Sequence, residues 1–291
     1  MSRIVVLGDL NLDIHAHLPG ALTPGDEIRD KITVRPGGSA GTFARTAARL
    51  GASVTFIGAV GEDLVGDLLE SSLVQAGVTP NLCRTASASG AVLALQQEDE
   101  RSMVCSRGAN DGLTPDWVSK SLRQGADHLH VSGYSLLSDA QRGAAMRAFS
   151  LARSFSMTIS VDPPPTSLIR AVGTNRFLDL LPDGVWLFPN RSEGRLLSGE
   201  LDVYEVVDVL SNRFSVGALT MGAEGAIAWS GASRHVQESE LLALVDTTGA
   251  GDVYAACFVS QFLRSGDIER ANEGACKAAG LMLRDRLAST A

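Results

Sequence analysis

The chain has 291 residues, 45% hydrophobic and 20% charged, enough for one large α/β domain with a sizeable core. A formal net charge of −8 argues against a nucleic-acid partner or an anionic membrane surface, which need clustered Lys and Arg, but leaves room for phosphate held by backbone N–H groups. The four cysteines form no C-x-x-C pair, no apolar run reaches the ~20 residues of a spanning helix, and no signal-peptide pattern opens the chain, so a reduced cytoplasm is expected.

Residues 4–7 form a short apolar run that delivers Gly8 and Asp9 at its tip, the pattern of a buried strand. Residues 16–35 carry turn residues (Pro19-Gly20, Pro24-Gly25-Asp26), and the alternation over 28–34 predicts a half-exposed strand. An Ala-rich helix is predicted over 39–50, stopped by Gly51, then a strand over 54–57 and a helix over 64–75, closed by Gly77. Strand-like runs at 91–96 and 102–105 flank the acidic turn Glu98-Asp99-Glu100; with 28–34 they predict a small antiparallel sheet projecting from the body. Beyond Trp117 the two types alternate. Strands are predicted over 128–132, 158–161, 185–188, 218–220 and 226–229, and helices over 140–155, 203–213, 252–264 and 268–286. This succession predicts a mostly parallel central sheet with helices on both faces. No repeat or linker interrupts it, so a single domain over 1–291 is expected, with lid strands from about 14–36 and 88–106.

The strongest chemical signal is Asp246-Thr247-Thr248-Gly249-Ala250-Gly251-Asp252, which follows the apolar run 241–245 and opens a helix. Gly249 and Gly251 allow a tight turn that bares backbone N–H groups, with the positive end of the helix dipole behind them. Such a nest suits a γ-phosphate and the charge that builds on it during transfer, and Asp252 beside it is placed to take the proton of an attacking hydroxyl. The same residues also read as a plain glycine turn with an Asp near a helix start. Other nucleotide machinery is absent: there is no Gly-Lys-Ser/Thr, no His-Arg-Asp and no Asp-Phe-Gly, and Gly58-Ala59-Val60-Gly61 does not complete a dinucleotide fingerprint.

The segment 246–252 resembles the C-terminal signature of the ribokinase-like (phosphofructokinase B) carbohydrate kinases, and further motifs follow in the family's order. Gly8-Asp9-Leu10-Asn11-Leu12-Asp13 is similar to its first strand tip, and Pro36-Gly37-Gly38-Ser39-Ala40-Gly41-Thr42 to its glycine-pair segment. Ile57-Gly58-Ala59-Val60-Gly61-Glu62-Asp63 resembles the strand that comes next, and Gly108-Ala109-Asn110 the segment leaving the lid. Pro189-Asn190-Arg191-Ser192-Glu193 matches Asn-x-x-Glu, and Thr220-Met221-Gly222-Ala223-Glu224-Gly225 matches the Thr-x-Gly-x-x-Gly nucleotide loop.

The resemblance implies a ribokinase-like fold, ATP as phosphoryl donor, and a hydroxyl of a sugar or related polyol as acceptor. It implies Asp252 as base and the amides of Gly249, Ala250 and Gly251 as anion hole. Asn190 and Glu193 would organise Mg²⁺ through water, the chemistry expected of hard oxygen ligands. Thr220, Gly222 and Gly225 would border the nucleotide together with Asn190. Asn11, Asp13, Gly37, Gly38 and Thr42 would face the acceptor, with Arg107 as a clamp for an acidic group or a surface cation. Taken alone, Asn190–Glu193 also reads as a helix cap, 220–225 as a hairpin turn, and Asp13 as a turn cap. His15 and His17 either line the acceptor site or face solvent, whereas His128 and His130 read as structural.

Several positions depart from the family. Thr42 stands where many sugar kinases carry Asn, and Ser132-Gly133-Tyr134-Ser135 lacks the acid that ribokinase itself places nearby. Asp162-Pro163-Pro164-Pro165 lacks the Asn and Arg often found there. Residues 284–291 lack the Gly-Ala that helps build a monovalent-cation site, so K⁺ dependence is left open. A nucleoside kinase of the same fold is the alternative, but the lid strands hold no Phe, Tyr or Trp to stack on a base; a non-catalytic sugar-binding regulator is the other. An exposed lid edge offers a surface for a homodimer.

Overall fold

The computed structural model describes residues 1–20, 24–97, 100–239 and 247–290. The apolar run expected at 241–245, Asp246, the turn residues Glu98 and Asp99, and Ala291 lie outside them.

The chain opens with β1 (Arg3–Leu7), β2 (Asn11–Leu18), β3 (Ile32–Gly37) and α1 (Ser39–Arg49). β4 (Ser53–Gly61), α2 (Leu64–Gln75), β5 (Val78–Thr85), β6 (Gly90–Gln97) and β7 (Glu100–Ser106) follow. The middle holds α3 (Pro115–Ser121), β8 (His128–Ser132), α4 (Asp139–Ser154), β9 (Thr158–Asp162), α5 (Thr166–Val172) and α6 (Thr174–Leu180). Next come β10 (Trp186–Leu187), α7 (Arg191–Ser198), α8 (Val203–Arg213), β11 (Val216–Thr220), β12 (Ala226–Ser230) and β13 (Ser233–Gln237). The chain closes with α9 (Ala250–Ser265) and α10 (Ile268–Thr290).

The described strands make a nine-stranded sheet in the order β13-β12-β11-β10-β9-β8-β1-β4-β5 and a four-stranded sheet in the order β3-β2-β6-β7. The large sheet is parallel from β5 to β11 and antiparallel only where β12 and β13 join. Two apolar cores follow from helices on both faces: one gathers Leu129, Phe149, Phe177 and Trp229, the other Phe43, Phe56 and Phe258. This is the mostly parallel sheet with helices on both faces that the alternation of elements predicts, with a small second sheet beside it.

Central strands buried on both faces read as apolar runs, and β1 does so. β8 carries His128 and His130, yet both rings are interior. His128 meets Thr158 Oγ1 and Ser160 Oγ at 2.7 Å each, and His130 meets Ser160 Oγ at 2.8 Å while stacking on Phe43 at 3.6 Å. Burial pulls the His128 pKa down to about 3 and His130 well below the usual value, so both are neutral packing residues.

Three strands missing from the sequence reading have physical causes that the sheets make plain. β5 contains Pro80 and Asn81, tolerated because β5 is the outermost strand of its sheet. β13 (Ser-Arg-His-Val-Gln) forms the opposite edge, where no second neighbour demands an apolar residue. β2 alternates polar and apolar residues just before a turn-rich stretch, which hid it. The strand expected over 28–34 starts at Ile32 and runs on to Gly37. The small sheet is not wholly antiparallel, since β2 and β6 pair in parallel over Asn11–Leu18.

The root of β6 is tied to the body by one carboxylate. Asp63, the N-cap of α2, accepts from Gly66 N (2.7 Å), Ser89 N (2.8 Å) and Ser89 Oγ (2.7 Å), while Ser89 Oγ in turn accepts from Gly61 N at 2.9 Å. Those donors, Ser89 N first, hold the Asp63 carboxyl below its usual pKa. A depressed acid contributes stability above its unfolded pKa and loses it as pH falls through the lower folded value. Asp63→Ala is therefore expected to cost about 1 kcal/mol at neutral pH. Chemical denaturation should show the gap from wild type narrowing below the ordinary Asp range.

Candidate active site

The polar residues at the carboxyl ends of the parallel strands gather along one edge of the large sheet. β1 ends at Leu7, and the chain passes a crowded Gly8, where a Cβ would sit 2.6 Å from Ala40 Cβ and 2.8 Å from Ser132 Cβ. Asp9 follows, only 4% exposed, and burial raises its pKa against the pull of Arg107. Arg107 donates from Nη1 to Asp9 Oδ2 at 2.8 Å, from Nε to Asp111 Oδ1 at 2.7 Å, and from Nη2 to Gln141 Oε1 at 2.6 Å. Its fork is thus turned onto the body at the root of β7, toward these partners.

Asn110, fully buried, fixes the start of β2. Its Oδ1 accepts from Leu10 N (3.0 Å), and its Nδ2 donates to Asn11 Oδ1 (2.8 Å) and to Arg107 O (2.9 Å). Asn11 pairs in register with Gly37, and Asp13 lies against the same glycine: a Cβ on Gly37 would fall 2.0 Å from Asp13 Oδ2. Gly38 caps α1 with φ 83°, and a Cβ there would meet Asp9 O at 2.4 Å. Backbone conformation and contact require glycine at Gly38, and a side chain at Gly37 would displace the Asp13 carboxylate. The acceptor-side set Asn11, Asp13, Gly37 and Gly38 is therefore one contiguous patch. Thr42 stands one turn into α1, where its Oγ1 accepts from Arg45 Nη2 at 3.4 Å.

Arg45 was passed over at the sequence level. Its side chain runs back toward the N-terminus of α1, as helix geometry directs, and Nη2 donates to Pro36 O at 3.1 Å. Nη1 is buried beside Gly41 without a partner among the described residues. Burial and the charge of Arg49 lower its pKa to about 10, while Asp13 and Asp252 act in the opposite sense. It remains a cation close to Asp13 and Asp252.

On the other side, Asn190 and Glu193 form a reciprocal capping box at the start of α7. Glu193 N donates to Asn190 Oδ1 (3.0 Å), Asn190 N to Glu193 Oε2 (2.9 Å) and Asn190 Nδ2 to Glu193 Oε1 (2.6 Å). Glu193 is only 7% exposed. Burial pushes its pKa up to about 7 against those bonds, helped by the charge of Asp252. A bridge joins Asn190 to Thr220 at the tip of β11. These residues, with Met221, Gly222, Pro165 and Thr166, line a cleft of about 380 Å³. Gly225 closes the β11–β12 turn at φ 94°, where a Cβ would fall 1.9 Å from Gln237 O. It shapes the loop and does not line the cleft.

Asp252 lies half-buried in the first turn of α9, behind a left-handed Gly249 at φ 78°. Gly251 is exposed, and the Ala250 amide donates to Thr247 O at 3.0 Å, so this N–H serves the turn itself. The Asp252 carboxyl hydrogen-bonds that of Asp162 at the tip of β9. Burial first, then the charges of Asp252 and Glu193, raise the Asp162 pKa well above the usual range, and it holds the proton that this pairing requires. Sequence reading noted Asp162 only as a departure. Its position at the end of a buried parallel strand was the signal that pointed to the site. Glu193 and Asn190 bring hard oxygen donors to the cleft itself, the donor type that suits Mg²⁺ with retained waters.

The pfkB family carbohydrate kinase model matches residues 1–291. The ribokinase of Bacillus subtilis (strain 168) is 26% identical over 284 residues, covering 97% of this chain and 92% of its own. The ATP-dependent ribose-1-phosphate kinase of Halopiger xanaduensis is 29% identical over 289 residues, 96% and 91% of the two chains. Among solved structures, the adenosine kinase from Sinorhizobium meliloti superposes with a TM-score of 0.85 at 22% identity, over 97% of this chain and 94% of that one. The chain belongs to the pfkB family of carbohydrate kinases, phosphotransferases with an alcohol group as acceptor.

The Asp9–Arg107 pair makes a testable demand. Removing one partner of a buried ion pair leaves an uncompensated charge, whereas neutralising both does not. Arg107→Ala is expected to destabilise the fold by about 3 kcal/mol, and Asp9→Asn with Arg107→Gln to recover much of that in urea denaturation.

Proposed function

We propose that this chain transfers the γ-phosphoryl group of ATP to a hydroxyl of a sugar or related polyol, with Asp252 as general base. The observation that carries the reading is the position of Asp252. It stands in the first turn of α9, hydrogen-bonded to Asp162 and within the electrostatic reach of Glu193 at the cleft and of Arg45. One carboxylate thus borders both halves of the site.

In this mechanism the acceptor lies on Asn11, Asp13, Gly37 and Gly38, with Thr42 at its margin, under a lid formed by the small sheet. ATP occupies the cleft beside Asn190, Thr220 and Gly222, with Gly225 shaping the loop. Asp252, beside the Asp162 carboxyl whose pKa is raised well above the usual range, takes the hydrogen of the acceptor hydroxyl as that oxygen bonds to the γ-phosphorus. The bond from phosphorus to the β-phosphate oxygen breaks and ADP leaves. The Gly249 and Gly251 amides and the N-terminal end of α9 stabilise the charge that spreads over the transferred group, the Ala250 amide being held by Thr247 O. Glu193 and Asn190 would hold Mg²⁺ through water, and the ion supplies positive charge against the phosphate oxygens. Arg107 serves here as the anchor of Asp9 and so of the acceptor patch, not as a clamp. Closure of the lid removes competing water.

Asp252→Asn keeps the shape and the hydrogen bond to Asp162 but removes the base. Turnover is expected to fall by about 10²- to 10⁴-fold, with the KM for ATP and the melting temperature unchanged; turnover near that of wild type would remove Asp252 from this role.

Glu193 provides a pH-dependent check. Its folded pKa of about 7 lies above the ordinary carboxylic value, so near neutrality it must lose a proton to serve Mg²⁺. The apparent Mg²⁺ affinity is expected to strengthen as pH rises through about 7. Metal titrations of Glu193→Gln should be weaker and flat across the same window.

A further inference from the structure

Tyr134 belongs to none of the roles above, yet it stands at the acceptor side of the site. Of the chain's tyrosines, Tyr204 is exposed on α8, and Tyr254 is buried with its hydroxyl donating to Asn272 Oδ1 at 2.6 Å. Tyr134 sits in the single turn Gly133–Leu136 that follows β8, a strand flanked by β1 and β9. It therefore projects from the same sheet edge as Asp9 and Asp162, between them in strand order. The turn is held in place, because a Cβ on Gly133 would fall 2.6 Å from Asp162 O and from Pro164 Cδ. The ring is half-buried, and its hydroxyl has no hydrogen-bond partner among the described residues. Carboxyl groups come at it from separate elements: Asp252 on α9, Asp162 on β9 and Asp9 beyond β1, with the Cys105 thiol of β7 arriving from the small sheet.

We infer that Tyr134 is a specificity-determining residue of the acceptor site, donating its phenolic hydrogen to an oxygen of the sugar. The inference rests on the proposed kinase reading and adds a contact to it. Asp13 and Asp252 can only accept hydrogens when ionised, so they satisfy the hydroxyl hydrogens of a bound sugar and leave its oxygen lone pairs without a donor. A phenol supplies that donor, and burial together with the surrounding acids keeps it protonated across the working pH range. A site that binds an oxygen through a dedicated donor discriminates sharply against ligands that cannot use it. The absence of aromatic residues from the lid strands therefore does not describe the whole acceptor wall, because the body contributes one.

Tyr134→Phe keeps the ring and removes only the hydroxyl. We expect the KM for the acceptor to rise about tenfold, with the KM for ATP within about twofold and the melting temperature unchanged. The measurement uses the full chain with ATP, Mg²⁺ and a panel of ribose, fructose, ribose 1-phosphate and adenosine. An unchanged acceptor KM for every member that the wild type phosphorylates overturns the inference, as does a loss that falls equally on ATP and acceptor. Thermal shifts induced by the same panel without ATP test Tyr134 separately from transfer. If sugars shift the wild type and shift Tyr134→Phe less, the contact stands even where no phosphate moves, and only the kinase reading fails. A wild type that neither transfers phosphate to any member nor is shifted by one sinks both.

Discussion

The site depends on holding several carboxyl groups close together without letting their charges drive them apart. Asp9, Asp13, Asp162, Glu193 and Asp252 converge on one edge of the sheet from different elements, and the chain meets the repulsion differently at each. Asp9 has a guanidinium, Arg107, in direct contact. Glu193 is wrapped in its own capping box and rises toward neutrality. Asp162 keeps a proton and passes a hydrogen bond to Asp252. Each solution leaves a distinct acid strength behind, and a set of acids pushed apart in strength is what proton transfer requires.

Close approach of backbone is the second requirement, and it explains why glycines cluster in the same region. Gly37 and Gly38 let the Asp13 carboxylate and the Asp9 carbonyl come within distances that any side chain would block. Asn110 then ties the start of β2 to Arg107, giving the small sheet one hydrogen-bonded root on the body. At the start of β6, Asp63 and Ser89 form a second root.

Much of this was legible from residue order, because the informative motifs combine glycine with a polar residue at a strand end. Gly37-Gly38, Asn190–Glu193, Thr220–Gly225 and Gly249–Asp252 each bind chemistry to a backbone conformation that few sequences support. What escaped has a different physical character. β5 and β13 are edge strands, where one side needs no neighbour and the apolar signal weakens. Tyr134 and Arg45 carry no local signature at all, and Asp162 carries only its place at the end of a buried strand. Their roles arise from which strands are neighbours and from where a long side chain turns back, and both are properties of the folded chain.

Arg45 shows how such a property bears on the acceptor. Thr42 is short, and the guanidinium of the residue one turn later comes up to its hydroxyl and to Pro36 O. A buried cation there is costly unless negative charge lies near, and Asp13 and Asp252 provide it. Arg45 thus balances these charges, while the hydrogen-bonding groups facing a ligand remain mostly acceptors. A single neutral donor placed among them has more influence on which ligand oxygens are tolerated than another charge would. Tyr134 is that kind of group, at the point where β1, β8 and β9 end side by side.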